Sequence, residues 1–363
     1  MSNPLIDVVL GTRPEIIKLS PLFLELKKRR IRFHLIHTGQ HYSFNMDKLF
    51  FQDLIIAEPD FLLGVGSGTH SKQTGEILIR TEKVLLKEKP DIVLVEGDTN
   101  SVIAAALAAT KLNIKVAHIE AGLRSFDREM PEELNRVLTD RISDYLFAPT
   151  KLSKENLLRE GIDKNKIFVT GNTIVDATLK NIDIARKRSK ILYEINISEN
   201  NYFLLTLHRE ENVDNKIRLK EIILSIDRLS RDYPIVFPAH PRTIKRLKEF
   251  NLSRSVKQIK NLMLIEPIGY LDFLSLEANA RLVLTDSGGV QEETCILKVP
   301  CVTLRENTER PETVDVGSNI IVGWKRRGIK GGVQKMLNKK REWQQPFGNG
   351  KTAQKIVDII SSE

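Results

Sequence analysis

The chain has 363 residues, of which 41% are hydrophobic and 28% charged, with a formal net charge of +9. This balance excludes a disordered polymer and supplies apolar material for two or three domains. Two cysteines exclude a disulfide framework and a four-thiolate zinc site, and no apolar run reaches the ~18 residues needed to cross a bilayer.

The opening Met1-Ser-Asn-Pro-Leu-Ile-Asp-Val-Val-Leu10 lacks a basic leader and carries Asp7, so it reads as a first core strand, and a cytoplasmic location is expected. Strands are expected at 6–10, 33–37, 92–96, 116–120, 145–147 and 167–169, and again at 202–206, 235–237, 262–265, 282–285, 301–304 and 320–322. Short β-rich runs separated by helix-length segments predict an α/β class with parallel sheets. Segment 102–109 is apolar all round and predicts a deeply packed helix, while 216–230 places Ile222, Ile223, Ile226 and Leu229 on one face. The last segment sets Ala353, Ile356, Val357 and Ile360 on one stripe, as a docked helix would. A hinge near 171–174 and a second crossing in 342–350 predict an N-terminal domain over 1–171, a C-terminal domain over 172–345, and a tail, 346–363, packing back on the first. The basic runs 27–30, 186–188, 325–327 and 339–341 are expected at helix ends, where cations suit the dipole. Nucleic-acid binding finds no zinc-finger spacing and no aromatic-basic interleaving.

Candidate chemistry gathers at strand ends, where open α/β sheets bind ligands. Gly11-Thr-Arg-Pro-Glu15 leads into a helix with Lys18; Arg13 and Lys18 suit a diphosphate, or are a surface arginine and a helix-face lysine. His37-Thr-Gly-Gln-His41 is either a ligand-facing loop or a plain turn. Asp98 is an acid or a helix cap, Glu120 lies where a strand gives way to a glycine-containing loop, and Glu132 and Glu133 open a helix whose dipole they favour. Acids brought together on one rim have their pKa values pushed apart, giving one proton donor and one base.

In the second half, His208-Arg-Glu-Glu-Asn212 ends a strand with a group able to meet phosphate or shuttle a proton, and His240-Pro-Arg242 is a weaker version. In Arg281–Thr294 an apolar strand ends in Thr285-Asp-Ser287, and Gly288-Gly289 turn into a helix start, the cheapest place to bind phosphate. Ser287 or Asp286 is the expected cap; Glu292 or Glu293 would take ribose hydroxyls or favour the dipole; Arg310 would neutralise the phosphate or remain a surface charge. The scattered histidines predict no metal site.

Together, Gly11–Glu15, Gly97–Thr99, Glu120–Arg124, Pro131–Glu133 with Asn135-Arg136, His208–Asn212, Thr285–Glu293 and Thr308–Pro311 resemble the non-hydrolysing UDP-N-acetylglucosamine 2-epimerase family over essentially the whole chain. The resemblance implies a GT-B-like arrangement of two Rossmann-like domains with an interdomain cleft, a homodimer, no cofactor, and reversible conversion of UDP-N-acetylglucosamine to UDP-N-acetylmannosamine, in a polysaccharide or glycoconjugate route. It implies anti-elimination of UDP through a 2-acetamidoglucal, with Asp98, Glu120 and Glu132 as acid/base groups and His208 assisting. Arg13, Lys18, His208, Ser287, Gly288, Gly289 and Arg310 would hold UDP, and Glu293 the ribose. Of the features of members activated by their substrate, Gly39-Gln40-His41 is kept, but segment 66–73 lacks their Gln-Arg-type pair, so the resemblance does not decide that property. A GT-B glycosyltransferase, a hydrolysing epimerase and a non-catalytic UDP-sugar sensor are the alternatives.

Overall fold

A computed structural model describes residues 4–40, 51, 53–54 and 56–362. The chain divides into two compact units, 1–177 with 347–363, and 178–346. Each is an α/β unit of the Rossmann type.

In the first unit the strands are β1 (Ile6–Leu10), β2 (Phe33–His37), β3 (Phe61–Leu62), β4 (Ile92–Glu96), β5 (Lys115–Ile119), β6 (Tyr145–Ala148) and β7 (Ile167–Val169). Helices α1 (Arg13–Lys28), α2 (His70–Glu88), α3 (Asn100–Lys111), α4 (Pro131–Ile142), α5 (Lys151–Arg159) and α6 (Thr173–Arg188) alternate with them. Among the described residues the sheet is parallel, in the order β3-β2-β1-β4-β5-β6-β7. Strands β1 and β4 are buried at every position because helices cover both faces, hence their mostly apolar runs, broken by Asp7 in β1 and ended by Glu96 in β4. The alanines of α3 are small enough to let that helix lie deep, with Val102, Ala105 and Ala109 against Val9, Val93 and Val95.

The second unit holds β8 (Phe203–Thr206), β9 (Ile235–Pro238), β10 (Leu262–Ile265), β11 (Leu282–Thr285), β12 (Cys301–Thr303) and β13 (Asn319–Ile321). Its helices are α7 (Ile191–Glu194), α8 (Glu210–Val213), α9 (Lys216–Leu229), α10 (Pro241–Glu249), α11 (Ser253–Gln258), α12 (Tyr270–Ala278), α13 (Gly288–Leu297), α14 (Pro311–Asp315) and α15 (Arg326–Leu337). The parallel order β10-β9-β8-β11-β12-β13 repeats that of the first unit. Ile222, Ile226 and Leu229 of α9 pack on Phe203, Phe237 and Leu284, as the spacing predicted. The final helix, α16 (Thr352–Ser361), returns to the first unit against α1, burying Ala353, Ile356, Val357 and Ile360. Cys295 and Cys301 are buried free thiols, pushed up by burial to about 11 and about 12.

Two expectations change. Strand β3 went unseen because two residues carry no readable period; it pairs in parallel with Ile36 and His37. The basic run 325–327 opens α15 rather than closing a helix, so its charges oppose the dipole. The ring of Trp324 lies 5.6 Å from the Lys325 ammonium, and Arg326 pairs with Glu221 at 2.9 Å, which offsets the cost.

Candidate active site

Strand order reverses between β1 and β4 in one unit and between β8 and β11 in the other. Such switch points, at the carboxyl ends of parallel strands, are where open α/β sheets take ligands. Among the described residues, those singled out from sequence lie at such strand ends or on the helices that follow them.

In the first unit the turn after β1 is built around Glu15. Its carboxylate reaches back to the amides of Gly11 (2.6 Å) and Thr12 (2.7 Å) and accepts the Thr99 hydroxyl (2.6 Å), tying the loops after β1 and β4 together. Burial pushes this carboxyl up, against those hydrogen bonds. A β-carbon on Gly11 would stand 2.1 Å from Thr38 Oγ1 and 2.3 Å from Ser101 Oγ, so only glycine fits. Arg13, half-buried, opens α1 from the same turn.

Glu120 follows β5 with φ +68, a left-handed conformation that costs a non-glycine residue about 1–3 kcal/mol unless its surroundings hold it. Those surroundings are explicit: Glu120 Oε1 accepts from Lys18 Nζ at 2.6 Å and from the Asn172 amide at 2.8 Å. The same ammonium lies 3.1 Å from Glu96 Oε1 at the end of β4. Sequence reasoning placed Lys18 with the diphosphate; the structure seats its ammonium between two carboxylates.

Asp98 pairs with Arg136 of α4, whose guanidinium also meets Glu133 at 2.8 Å, and Asn135 donates to the Asp98 carbonyl at 3.0 Å. Glu132 precedes Arg136 by four residues, one turn along the same face of α4. Glu133 turns away to accept the Ser125 (2.9 Å) and Phe126 (3.0 Å) amides. Beneath these loops, buried His118 joins the Gly97 carbonyl (2.8 Å) to Asp140 (2.7 Å), and Asp140 also accepts the Gly122 amide at 3.1 Å. Burial would raise the Asp140 carboxyl, but His118 and Arg124 hold it below the usual range. One buried carboxylate thus fixes the loop of Asp98 against the loop of Glu120.

In the second unit Asp286, at the end of β11, is fully buried and bridges the switch point. It accepts the amides of His208 (3.1 Å) and Arg209 (3.1 Å) and the Asn212 side chain (3.2 Å), and His208 Nδ1 lies 3.2 Å away. Burial opposes its ionisation, yet His208 and these donors hold it below the usual carboxylate range. Asp286 therefore does not cap the helix; Ser287 occupies the N-cap position of α13, without a side-chain cap bond. Beyond it Gly288 and Gly289 open the helix, and Arg310 Cζ lies 4.0 Å from where a β-carbon on Gly288 would stand. Arg310 is held there by buried Glu292 at 2.7 Å. Ser287, the two glycines and Arg310 thus form a helix-start anion cradle. Glu293 accepts the Tyr270 hydroxyl at 2.9 Å, and Tyr270 is raised well above its ordinary range, first by burial and then by Glu293. Beside the cradle a cavity of about 220 Å³ is lined by Thr206, His208, Pro238, His240, Ile268, Phe273, Ser287 and Val290.

The structure thus brings Glu120 onto Lys18, Asp98 and Glu132 onto the Arg136 face of α4, and Arg310 onto Gly288. His41 lies outside the described residues; its neighbour Gln40 accepts the Ser101 amide at 2.9 Å. Glu96, Asn172 and Tyr270 were missed, because a strand-end acid inside an apolar run and two isolated polar residues give no motif. Glu15 was readable: Thr12-Arg-Pro-Glu15 has the spacing of a capping box.

The family described as UDP-N-acetylglucosamine 2-epimerase matches residues 24–361. The chain is 62% identical over 360 residues to the UDP-N-acetylglucosamine 2-epimerase of Methanocaldococcus jannaschii, covering 98% of each chain. A crystal structure of the M. jannaschii UDP-GlcNAc 2-epimerase, in complex with UDP-GlcNAc and UDP, superposes with a TM-score of 0.95 over 99% of this chain and 100% of that one. The UDP-2,3-diacetamido-2,3-dideoxy-D-glucuronate 2-epimerase of Pseudomonas aeruginosa is 40% identical, with 97% of this chain and 98% of that protein covered. With two Rossmann-like parallel sheets, the fold is of the GT-B class, and the chain belongs to the UDP-N-acetylglucosamine 2-epimerase family.

Proposed function

We propose that this protein is a non-hydrolysing epimerase that interconverts UDP-N-acetylglucosamine and UDP-N-acetylmannosamine at C2. The observation that carries the reading is the pairing, in one chain, of an anion cradle at the start of α13 with ion-paired acids at the ends of β4 and β5. C2 of the sugar is not α to a carbonyl, so direct removal of its proton is unfavourable. Loss of UDP from C1 together with the C2 proton avoids that carbanion and leaves a 2-acetamidoglucal. UDP then adds back while a proton is delivered to the opposite face of C2.

Each residue takes a role that its surroundings support. Ser287, Gly288, Gly289 and Arg310, joined by Arg13, hold the diphosphate before and after C–O cleavage; without that grip the glycal would be stranded. His208, anchored by Asp286, assists the leaving diphosphate. Glu293, oriented by Tyr270, takes the ribose, and the cavity between Pro238, Ile268 and Phe273 suits a planar pyrimidine. Asp98, Glu120 and Glu132 divide the acid and base roles around C2. Lys18, 2.6 Å from Glu120, favours the ionised form of that acid and, with three donors on its ammonium, also supports the diphosphate beside Arg13. We further propose that the protein is a cytoplasmic homodimer, which light scattering of the purified chain tests.

The relative that acts on a diacetamido-glucuronate offers a second substrate. Incubation with each nucleotide sugar in turn, with no acceptor present, decides between them. UDP-N-acetylglucosamine should equilibrate with its C2 epimer. Exclusive conversion of the glucuronate would transfer the assignment to that sugar, release of free N-acetylmannosamine would make the enzyme hydrolytic, and binding with no product would leave only a sensor.

A further inference from the structure

We infer that Arg305 is a positioning residue of the diphosphate cradle: by taking up the charge of Glu309, whose carboxylate lies against the start of α13, it keeps that helix start attractive to phosphate. The inference rests on the assignment of the diphosphate to the Gly288-Gly289 turn. Arg305 follows β12, and its side chain is fully buried. A guanidinium taken out of water needs charged or hydrogen-bonding partners. Its fork closes on Glu309, Nη1 donating to Oε2 and Nη2 to Oε1, both at 2.9 Å. That is the bidentate geometry of a strong charge-assisted pair. Nη2 also donates to Asn307 at 2.9 Å, and Nε lies 3.2 Å from Glu211 of α8. Burial works against the charge of this guanidinium, but Glu309, then Glu211 and Asp286, sustain it.

The carboxylate so held stands at the cradle itself. Glu309 Oε2 is 3.6 Å from where a β-carbon on Gly288 would stand, nearer than the guanidinium carbon of Arg310 at 4.0 Å. The Glu309 side chain is 2% exposed, so little water screens it. The dipole at a helix start draws a carboxylate as it draws a phosphate, and two anions on one start repel each other. The cradle therefore carries its own rival anion, and the fork of Arg305 engages both of that rival's oxygens. With Glu309 drawn onto Arg305, the amides that open α13 and Arg310 beside them are left to face phosphate.

The test compares the unmodified chain, Arg305→Gln, Glu309→Gln and the double variant, by calorimetry with UDP and with uridine, which lacks the diphosphate. R305Q should bind UDP about 10- to 100-fold more weakly and uridine within about threefold of the unmodified chain. E309Q should hold UDP within about threefold, and the double variant should recover that affinity because the rival charge is gone. A brace that merely held the loop would not be restored by a second substitution in the same loop. Thermal unfolding reports whether each variant is folded; if R305Q is not, the double variant decides, since it buries no Glu309 charge. A double variant still about tenfold or more weaker for UDP would overturn the inference. So would an R305Q that binds UDP as the unmodified chain does, or a uridine affinity that falls in step with that for UDP. If the unmodified chain binds no UDP, the cradle reading fails and the inference falls with it; a failure confined to the variants leaves the cradle standing.

Discussion

The two units share a strand order and differ in what their strand ends do with acids. At the switch point of the second unit Asp286 is consumed by structure: backbone amides and His208 hold it ionised. Glu292, fully buried, is likewise tied to Arg310. At the switch point of the first unit Glu15 is likewise held by backbone amides, but Glu120 and Asp98 meet the side-chain cations Lys18 and Arg136. A carboxylate fixed by backbone donors is a brace, whereas Glu120 and Asp98 are set beside buried cations at the loops that carry the proposed acid/base groups. The fold is thus indifferent to the chemistry, and the difference lies in a few residues at corresponding edges.

The most severe way to break this comparison is Glu120→Gln. The account predicts a loss of about 10²–10⁴ in kcat, the range of a general acid or base, with the Kd for UDP changed by less than about threefold. Calorimetry with UDP and turnover assays separate the two; equal losses would place Glu120 with the nucleotide.

Asp7 supplies a control within the first unit, in β1 but before the switch point. Burial raises its carboxyl to about 6, against the opposing effect of His34 at 2.9 Å. A raised acid binds more protons folded than unfolded, so its cost is absent below pH 3.8, grows as pH rises through about 6 and is complete above it. That two-unit displacement corresponds to about 3 kcal/mol. Asp7→Asn should remove most of this pH dependence from thermal unfolding between pH 4 and 7 and leave kcat unchanged; a large loss of turnover would mean that the acids of this sheet are not separable by position.

For the second unit, Arg310→Gln combined with Glu292→Gln avoids leaving a buried charge unpaired. UDP affinity should fall about 10- to 100-fold by calorimetry, as the loss of charge-assisted bonds would give. Turnover at saturating substrate should fall far less than in E120Q. The smallest effect belongs to Tyr270→Phe, which removes one bond to Glu293. UDP should bind about two- to tenfold more weakly, and unchanged affinity would separate Glu293 from the ribose.

Much of this contrast was legible in the chain. Mostly apolar runs such as Ile92–Glu96 and Leu282–Thr285 announce strands covered on both faces, and glycine-bearing strand ends announce ligand loops. The partners were not legible. Lys18 and Glu120 are 102 residues apart, and Arg136 and Asp98 are 38. Their pairing follows from the crossover topology, which no local pattern encodes. Glu96 was hidden for a different reason: as the last residue of an apolar strand it reads as the edge of the core, and only its distance to Lys18 reveals otherwise. Asp286 looked like a helix cap because residue type and spacing allow it, and amides of the loop after β8, 78 residues away, claim it instead.

The central claim, that the second unit holds UDP while the acids of the first work on C2, is tested most directly by NMR of UDP-N-acetylglucosamine incubated with the enzyme in deuterated water. The unmodified chain should place deuterium at C2 as the manno epimer forms, and E120Q should bind the nucleotide with little exchange. Epimer formed without deuterium at C2, or full exchange in E120Q, would contradict the account.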